Sequence, residues 1–377
     1  MRRLLVLVGA IVWVDTMFFA ALTPLLPHYA EELGLGKAGA GILQAAYPAG
    51  TFVGAVPSGI VAARLGVKPT VLAGLATLAA ASLAFGFAGE PWQLDLARFV
   101  QGVSSSFSWT GALAWLVAAA PAGRRGQLIG TAMGLAIGGA LCGPVLGGIA
   151  SIVGTRLAFG AVAAIALALL AWAARTPSAP PERPQPVSVL RHALRARPVL
   201  AGIWFVTLPA LLFGTLSVLA PLRLHHLGFG ALAITATWMT SAALEGVVAP
   251  LLGRLSDRIG RLRPLLASLA GATLVLVVIP WPASAYAIAA LVVCGGIAFG
   301  SFWTPAMALL SDAGEAHGLA HGYSFALMNL AWAPGQAVGA AAAGGIAAAT
   351  ADAVPYLLLA GVCVLTLAGL WRSASSS

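Results

Sequence analysis

Apolar runs of about 20 residues recur from one end of this chain to the other, and no other feature restricts its fold as strongly. A helix rises 1.5 Å per residue, so each run matches the ~30 Å hydrocarbon layer of a bilayer. The spans read as 4–26, 38–62, 70–88, 93–119, 127–150, 156–174, 198–221, 232–252, 264–281, 285–310, 322–347 and 354–371. Of the 377 residues, 60% are hydrophobic and 8% charged, whereas a soluble domain carries about 25% charged residues to face water. The expected fold is therefore an all-α membrane protein of about 12 transmembrane helices. Met1-Arg2-Arg3 ahead of an apolar run also has the form of a secretory signal. The run is too long for one and holds Asp15 at its centre.

A formal net charge of +9 raises nucleic acid as a partner, and the placement of the basic residues removes it. With the N-terminus inside, all 20 Lys and Arg residues except Lys37, Arg98, Arg156 and Arg223 fall in the termini and the even-numbered connections. This asymmetry follows the positive-inside rule and predicts both termini in the cytoplasm. Cys142, Cys294 and Cys363 lie in apolar spans without metal-type spacing and read as small buried apolar residues. Arg outnumbers Lys 18 to 2 and Asn329 is the only asparagine. That bias suggests a GC-rich bacterial genome, and with it an inner-membrane location.

Residues 175–186 contain five prolines and cannot be helical, so they read as an extended or disordered connector. After it, Val187, Leu190 and Leu194 share one helical face and the arginines another. This stretch is either a short amphipathic helix on the membrane surface or a solvated loop. The flanking sequence repeats. Pro24, Leu25 and His28 answer Pro221, Leu222 and His225 at an offset of 197, and Gly59, Arg64 and Gly66 answer Gly253, Arg258 and Gly260 at 194. Gly126, Gly130, Gly143 and Gly147 answer Gly318, Gly322, Gly335 and Gly339 at 192. The expected organisation is a six-helix half at 1–174, a linker at 175–197 and a second six-helix half at 198–377.

The most specific local signal is Gly253-Arg-Leu-Ser-Asp257-Arg258-Ile-Gly260-Arg261, at the inner end of the eighth span. Its glycines permit a sharp turn and its arginines suit the anionic cytoplasmic interface. This resembles the loop signature of the major facilitator superfamily, whose transporters are built from such repeats. The first-half counterpart keeps Gly59, Arg64 and Gly66 but has Ala63 where the family usually places Asp, which weakens any latch there. Gly134, Gly138, Gly139, Gly143, Pro144, Gly147 and Gly148 give the fifth span a smooth groove. That pattern is similar to the antiporter motif of proton-coupled drug exporters, although close packing alone also selects small residues. Asp95, Arg98, Gln101 and Gly102 match the same branch, where the arginine is thought to assist proton movement. Asp15-Thr16-Met17 with Pro24-Leu25-Leu26-Pro27-His28-Tyr29 resembles the start of vesicular amine transporters and their bacterial relatives. Pro305, Asp312 and Asn329 resemble that branch too, though the Asn329 position is often acidic there.

An ionisable group at mid-membrane is costly by several kcal/mol unless it faces a partner or a wet cavity. Asp15 lies about 11 residues, or ~16 Å, from either end of its span, too far to snorkel out. It is either a carboxylate lining a central cavity, for a proton or a cationic substrate, or a structural acid between helices. Glu245 in the eighth span is a second candidate of the same kind. Arg98 either clamps Asp95 one turn away or serves as the charge partner of a cavity acid. Asp312, near the inner end of its helix, suits a gating role. Trp92, Trp172, Trp281 and Trp371 fall near span ends as interface anchors. Tyr47, Trp109, Trp238 and Trp303 lie deeper, either packing against neighbours or lining a cavity for a flat cation.

The leading expectation is a monomeric secondary active transporter that exports lipophilic or cationic small molecules in exchange for protons. A transporter of a neutral metabolite such as a sugar or amino acid fits the same frame. A membrane enzyme or transporter-like receptor is the remote third reading. No P-loop, His/Cys metal cluster or nucleophile motif is present in the sequence, and no cofactor or metal is expected. The expected partners are the bilayer, protons and a small-molecule substrate.

Overall fold

The computed structural model describes residues 2–120, 125–178, 185–259, 262–319 and 321–375. The first six helices are α1 Arg2–Glu32, α2 Lys37–Leu65, α3 Val67–Phe87, α4 Pro91–Ala118, α5 Arg125–Val153 and α6 Thr155–Arg175. A seven-residue helix, α7 Val187–Ala193, precedes six more: α8 Arg197–His226, α9 Ala231–Ile259, α10 Leu262–Val278, α11 Ala285–Ala316, α12 His321–Ala349 and α13 Ala353–Ser375. Among the described residues there is no strand. Each of the twelve predicted spans falls on one long helix. The helices overrun the spans furthest at α1 and α9, because a helix continues through polar residues once it leaves the hydrocarbon. Among the described residues, nine helices are long and apolar enough to cross a membrane by composition alone. Of the other long helices, α10 is short and α4 and α12 carry many polar or small residues.

Helices in lipid gain nothing from hiding apolar surface, so their association rests on close contact between backbones. α5 lies along α1, where a Cβ on Gly139, Gly143 or Gly147 would overlap the Trp13, Met17 or Ala21 carbonyl. α12 lies along α8 in the same way, with Gly335 on Thr207 and Gly339 on Leu211. The glycines that repeat at offset 192 thus make equivalent seams in both halves. Gly138 of the same motif touches the Trp13 ring and Gly148 faces Thr235 of α9. The Pro144 carbonyl accepts the Thr235 hydroxyl at 3.1 Å. α2 and α4 cross where Gly50 meets the Phe99 carbonyl and Gly102 the Tyr47 carbonyl.

The halves are tied at the end away from both termini. His225 Nε2 of α8 lies 2.8 Å from Glu31 Oε1 of α1, and Lys37 at the start of α2 pairs with Asp352 before α13. Beside them, Gly41 of α2 abuts Ala340 and Gly344 of α12.

Several expectations need correction. α7 is a helix rather than a loop, and Leu190 and Ala193 are buried against residues of α8, α11 and α12. Gln185 just before it donates to the Gly318 carbonyl at 2.7 Å and accepts from Tyr323 at 3.0 Å. Cys294 is exposed rather than buried, whereas Cys363 is buried and Cys142 is half-buried. Trp92, Trp172 and Trp281 are exposed near helix ends as anticipated. Trp371 sits in α13, and its side chain lies outside the described residues.

Of the loop signature, Gly66 alone joins α2 to α3 with φ +96°, a conformation that needs glycine. Gly59 is buried and Arg64 exposed. In the second half Gly253, Asp257 and Arg258 fall in the last turns of α9, their side chains outside the described residues. Gly260 and Arg261 lie outside the described residues altogether. Asp312 is exposed near the end of α11.

The crossing of α2 and α4 yields a stability prediction. Gly102→Val should force the two backbones apart and lower stability by about 2–3 kcal/mol. Gly160→Ala in α6, where nothing lies within 4 Å, should leave it unchanged or raise it by up to ~1 kcal/mol. Thermal unfolding of the purified variants measures both.

Candidate functional site

α4 carries Arg98, Gln101, Ser105 and Trp109 at spacings of three and four, which places them on one face of the helix. That face meets the middle of α1, and the Gly50–Gly102 crossing brings Tyr47 of α2 to the same point. There Asp15 is fully buried. Its Oδ2 accepts three hydrogen bonds, from Ser105 Oγ at 2.6 Å, Trp109 Nε1 at 2.9 Å and the Tyr47 hydroxyl at 3.0 Å. The Tyr47 hydroxyl also lies 2.6 Å from Ser105 Oγ. Asp15 Oδ1 is buried with no hydrogen-bond partner. One carboxylate oxygen is thus saturated by donors from two helices while the other stays open to a proton or a donor.

Arg98, also fully buried, resolves the choice left by the sequence. It does not clamp Asp95. Its guanidinium donates to Gln101 Oε1 at 2.6 Å and to the α1 carbonyls of Phe18 at 3.5 Å and Phe19 at 3.3 Å. It lies 5.0 Å from the centre of the Tyr47 ring, within cation–π range. No direct ion pair joins Arg98 to Asp15, and the Tyr47 ring bridges them. Arg98 is still the cation facing that acid.

The Tyr47 ring belongs to a small aromatic group. Phe19 of α1 lies 4.7 Å from it, and Trp332 of α12 stacks at 6.4 Å and 24°. Phe19 and Trp332 are 6.1 Å apart. Trp332 brings the second half to the acid, and it lies one turn after Asn329, which is half-buried on α12.

The structure does not bring the remaining candidates to this point. Glu245 is half-buried on α9 and packs against Gly300 of α11, one turn from Ser241 on Gly296. Trp238 packs on the main core and Trp303 on the smaller cluster beneath α7. Among the described residues no group of three or more His, Cys, Asp or Glu is arranged to hold a metal ion.

Sequence reasoning missed Ser105, Phe19 and Trp332. The stripe 98–101–105–109 signals Ser105, and Phe19 stands one turn beyond Asp15. Trp332 had no local signal, because only the packing of α12 along α2 brings it in.

Comparison with known proteins accords with this architecture. The sequence model of the Major Facilitator Superfamily matches residues 8–336 and 241–376. The multidrug resistance protein MdtG of Citrobacter koseri is 27% identical over 94% of this chain and 91% of its own length. The MFS-type transporter ppzB of Metarhizium rileyi is 33% identical over 125 residues, a match that covers 33% of this chain and 26% of that protein. The crystal structure of a D-xylose-proton symporter superposes with a TM-score of 0.78 at 15% identity, covering 98% of this chain and 96% of that one. The twelve long helices, the repeated glycine seams and the matched profile together identify a multi-pass membrane transporter, and the chain belongs to the major facilitator superfamily.

Proposed function

We propose that this transporter exports lipophilic or cationic small molecules in exchange for protons by alternating access, with Asp15 as the proton-exchanging acid. The observation that carries this reading is the Asp15 carboxyl itself, buried at mid-helix with one oxygen saturated and the other open. A group so placed gains or loses a proton only when the surrounding helices move, which is what coupling requires. The aromatic group of Phe19, Tyr47 and Trp332 beside it suits a flat apolar or cationic solute. Glu245 is the second acid of the scheme, in the other half. The similarity to a multidrug resistance protein along most of the chain supports the substrate class. In this reading the protein lies in a bacterial inner membrane with both termini in the cytoplasm.

A neutral solute is the second reading. The three donors already on Asp15 Oδ2 favour it, because they leave that oxygen less able to pair with a cation. The two readings separate in a binding assay. Ethidium or tetraphenylphosphonium should shift the unfolding temperature of the purified protein, and Glu245→Gln should weaken that shift. Absence of any effect from either cation favours the neutral solute.

Coupling is tested in proteoliposomes. An imposed proton gradient should drive ethidium across the membrane, and Asp15→Asn should abolish the gradient-driven flux while leaving ethidium exchange at equal pH. Gradient-driven flux that survives the substitution removes Asp15 from the mechanism.

A further inference from the structure

We infer that Tyr47 is a positioning residue that carries the protonation state of Asp15 to α12 through Trp332; this rests on the reading of Asp15 as the proton-exchanging acid. Tyr47 is buried and makes two kinds of contact. Its hydroxyl reaches two acceptors, Asp15 Oδ2 at 3.0 Å and Ser105 Oγ at 2.6 Å. A phenol has a single hydrogen and gives it to one acceptor at a time. Its ring is flanked by Arg98 at 5.0 Å, Phe19 at 4.7 Å and Trp332 at 6.4 Å.

The hydroxyl end responds to charge. A hydrogen bond to an ionised acceptor is about twice as strong as one between neutral groups. With Asp15 ionised, Oδ2 draws the Tyr47 hydrogen in company with those of Ser105 and Trp109. When Oδ1 takes a proton, Oδ2 loses most of that pull, and the Tyr47 hydrogen turns to Ser105 Oγ, the nearer oxygen. No bond within Tyr47 breaks in this change; its hydrogen bond moves from one acceptor to another.

The ring end meets the other half. α2 and α12 run side by side, and Gly41 abuts the Ala340 carbonyl so closely that neither backbone leaves room for a methyl group there. Tyr47 lies six residues along α2 from that approach and Trp332 eight residues back along α12, so their stack continues the same seam. A ring released from Asp15 no longer holds Trp332 at the present angle, and the seam loosens at mid-membrane. The groups that face Asp15 are Tyr47 from α2 and Arg98, Ser105 and Trp109 from α4. Among the described residues α5, α6, α8 and α9 present no charged or titratable group to it, so a proton signal has few other routes.

The test uses the full chain labelled with 5-fluorotryptophan in lipid nanodiscs, followed by fluorine NMR across pH. Trp332→Phe and Trp109→Phe assign the two resonances. In the wild type both should titrate together, and both titrations should vanish in Asp15→Asn. In Tyr47→Phe, which keeps the ring and removes the hydroxyl, Trp109 should still titrate while the Trp332 response is lost. Ser105→Ala, which removes the alternative acceptor, should likewise diminish the Trp332 response and serves if Tyr47→Phe does not fold. A Trp332 response of wild-type size in both variants overturns the inference and leaves the Asp15 reading intact. Titrations that persist in Asp15→Asn, or a wild type in which neither tryptophan titrates, overturn the Asp15 reading as well.

Discussion

The backbones of α2 and α4 touch at Gly50 and Gly102, and neither position has room for a single methyl group. That approach sets the distance between Tyr47 on one helix and Ser105 and Trp109 on the other. Asp15, brought in by α1, therefore finds three donors converging on one oxygen. α1 is itself held at that depth by the glycine seam of α5. In water such contacts would be reinforced by hiding apolar surface. In lipid the interlocking of small residues has to supply the cohesion, so the polar centre depends on where glycine permits close approach.

The same logic explains what was legible in the sequence. Length and hydropathy locate every long helix, because a bilayer imposes one dimension on all of them. Asp15, Tyr47, Arg98 and Trp109 were singled out and do converge, since polar groups are rare enough at mid-span for each to be informative. Ser105 was hidden among neighbouring serines, and Trp332 among eleven tryptophans. Both are given meaning only by tertiary packing. The fate of α7 was equally unreadable, because the periodicity of a seven-residue helix reveals an apolar face but not what covers it.

The two halves share a frame and differ in what they hang on it. Gly102 and Gly296 stand 194 residues apart, as do Tyr47 and Ser241, and each pair occupies the same kind of helix crossing. Where the first half places a phenol the second has a small hydroxyl. Glu245 then stands where the first half has Thr51, whose hydroxyl bonds to the Tyr47 and Gly102 carbonyls. A carboxylate in that position lies on a glycine surface instead. The crossings correspond in the two halves, and the polar side chains differ.

The polar face of α4 has a consequence for how the chain enters the membrane. Arg98, Gln101 and a run of buried serines keep this helix outside the group that is apolar enough to cross alone. An arginine at a helix centre opposes insertion by about 2.5–3.5 kcal/mol, and Arg98, two turns inside the N-terminal end of α4, opposes it by less. In the finished protein Gln101 and two carbonyls of α1 accept from its two terminal nitrogens, while Nε is buried without a partner. The α1 carbonyls are synthesised first, so α4 is best inserted against α1 and its neighbours rather than into bare lipid. The groups that hold Asp15 in the folded protein thereby make early helix order a condition of its biogenesis.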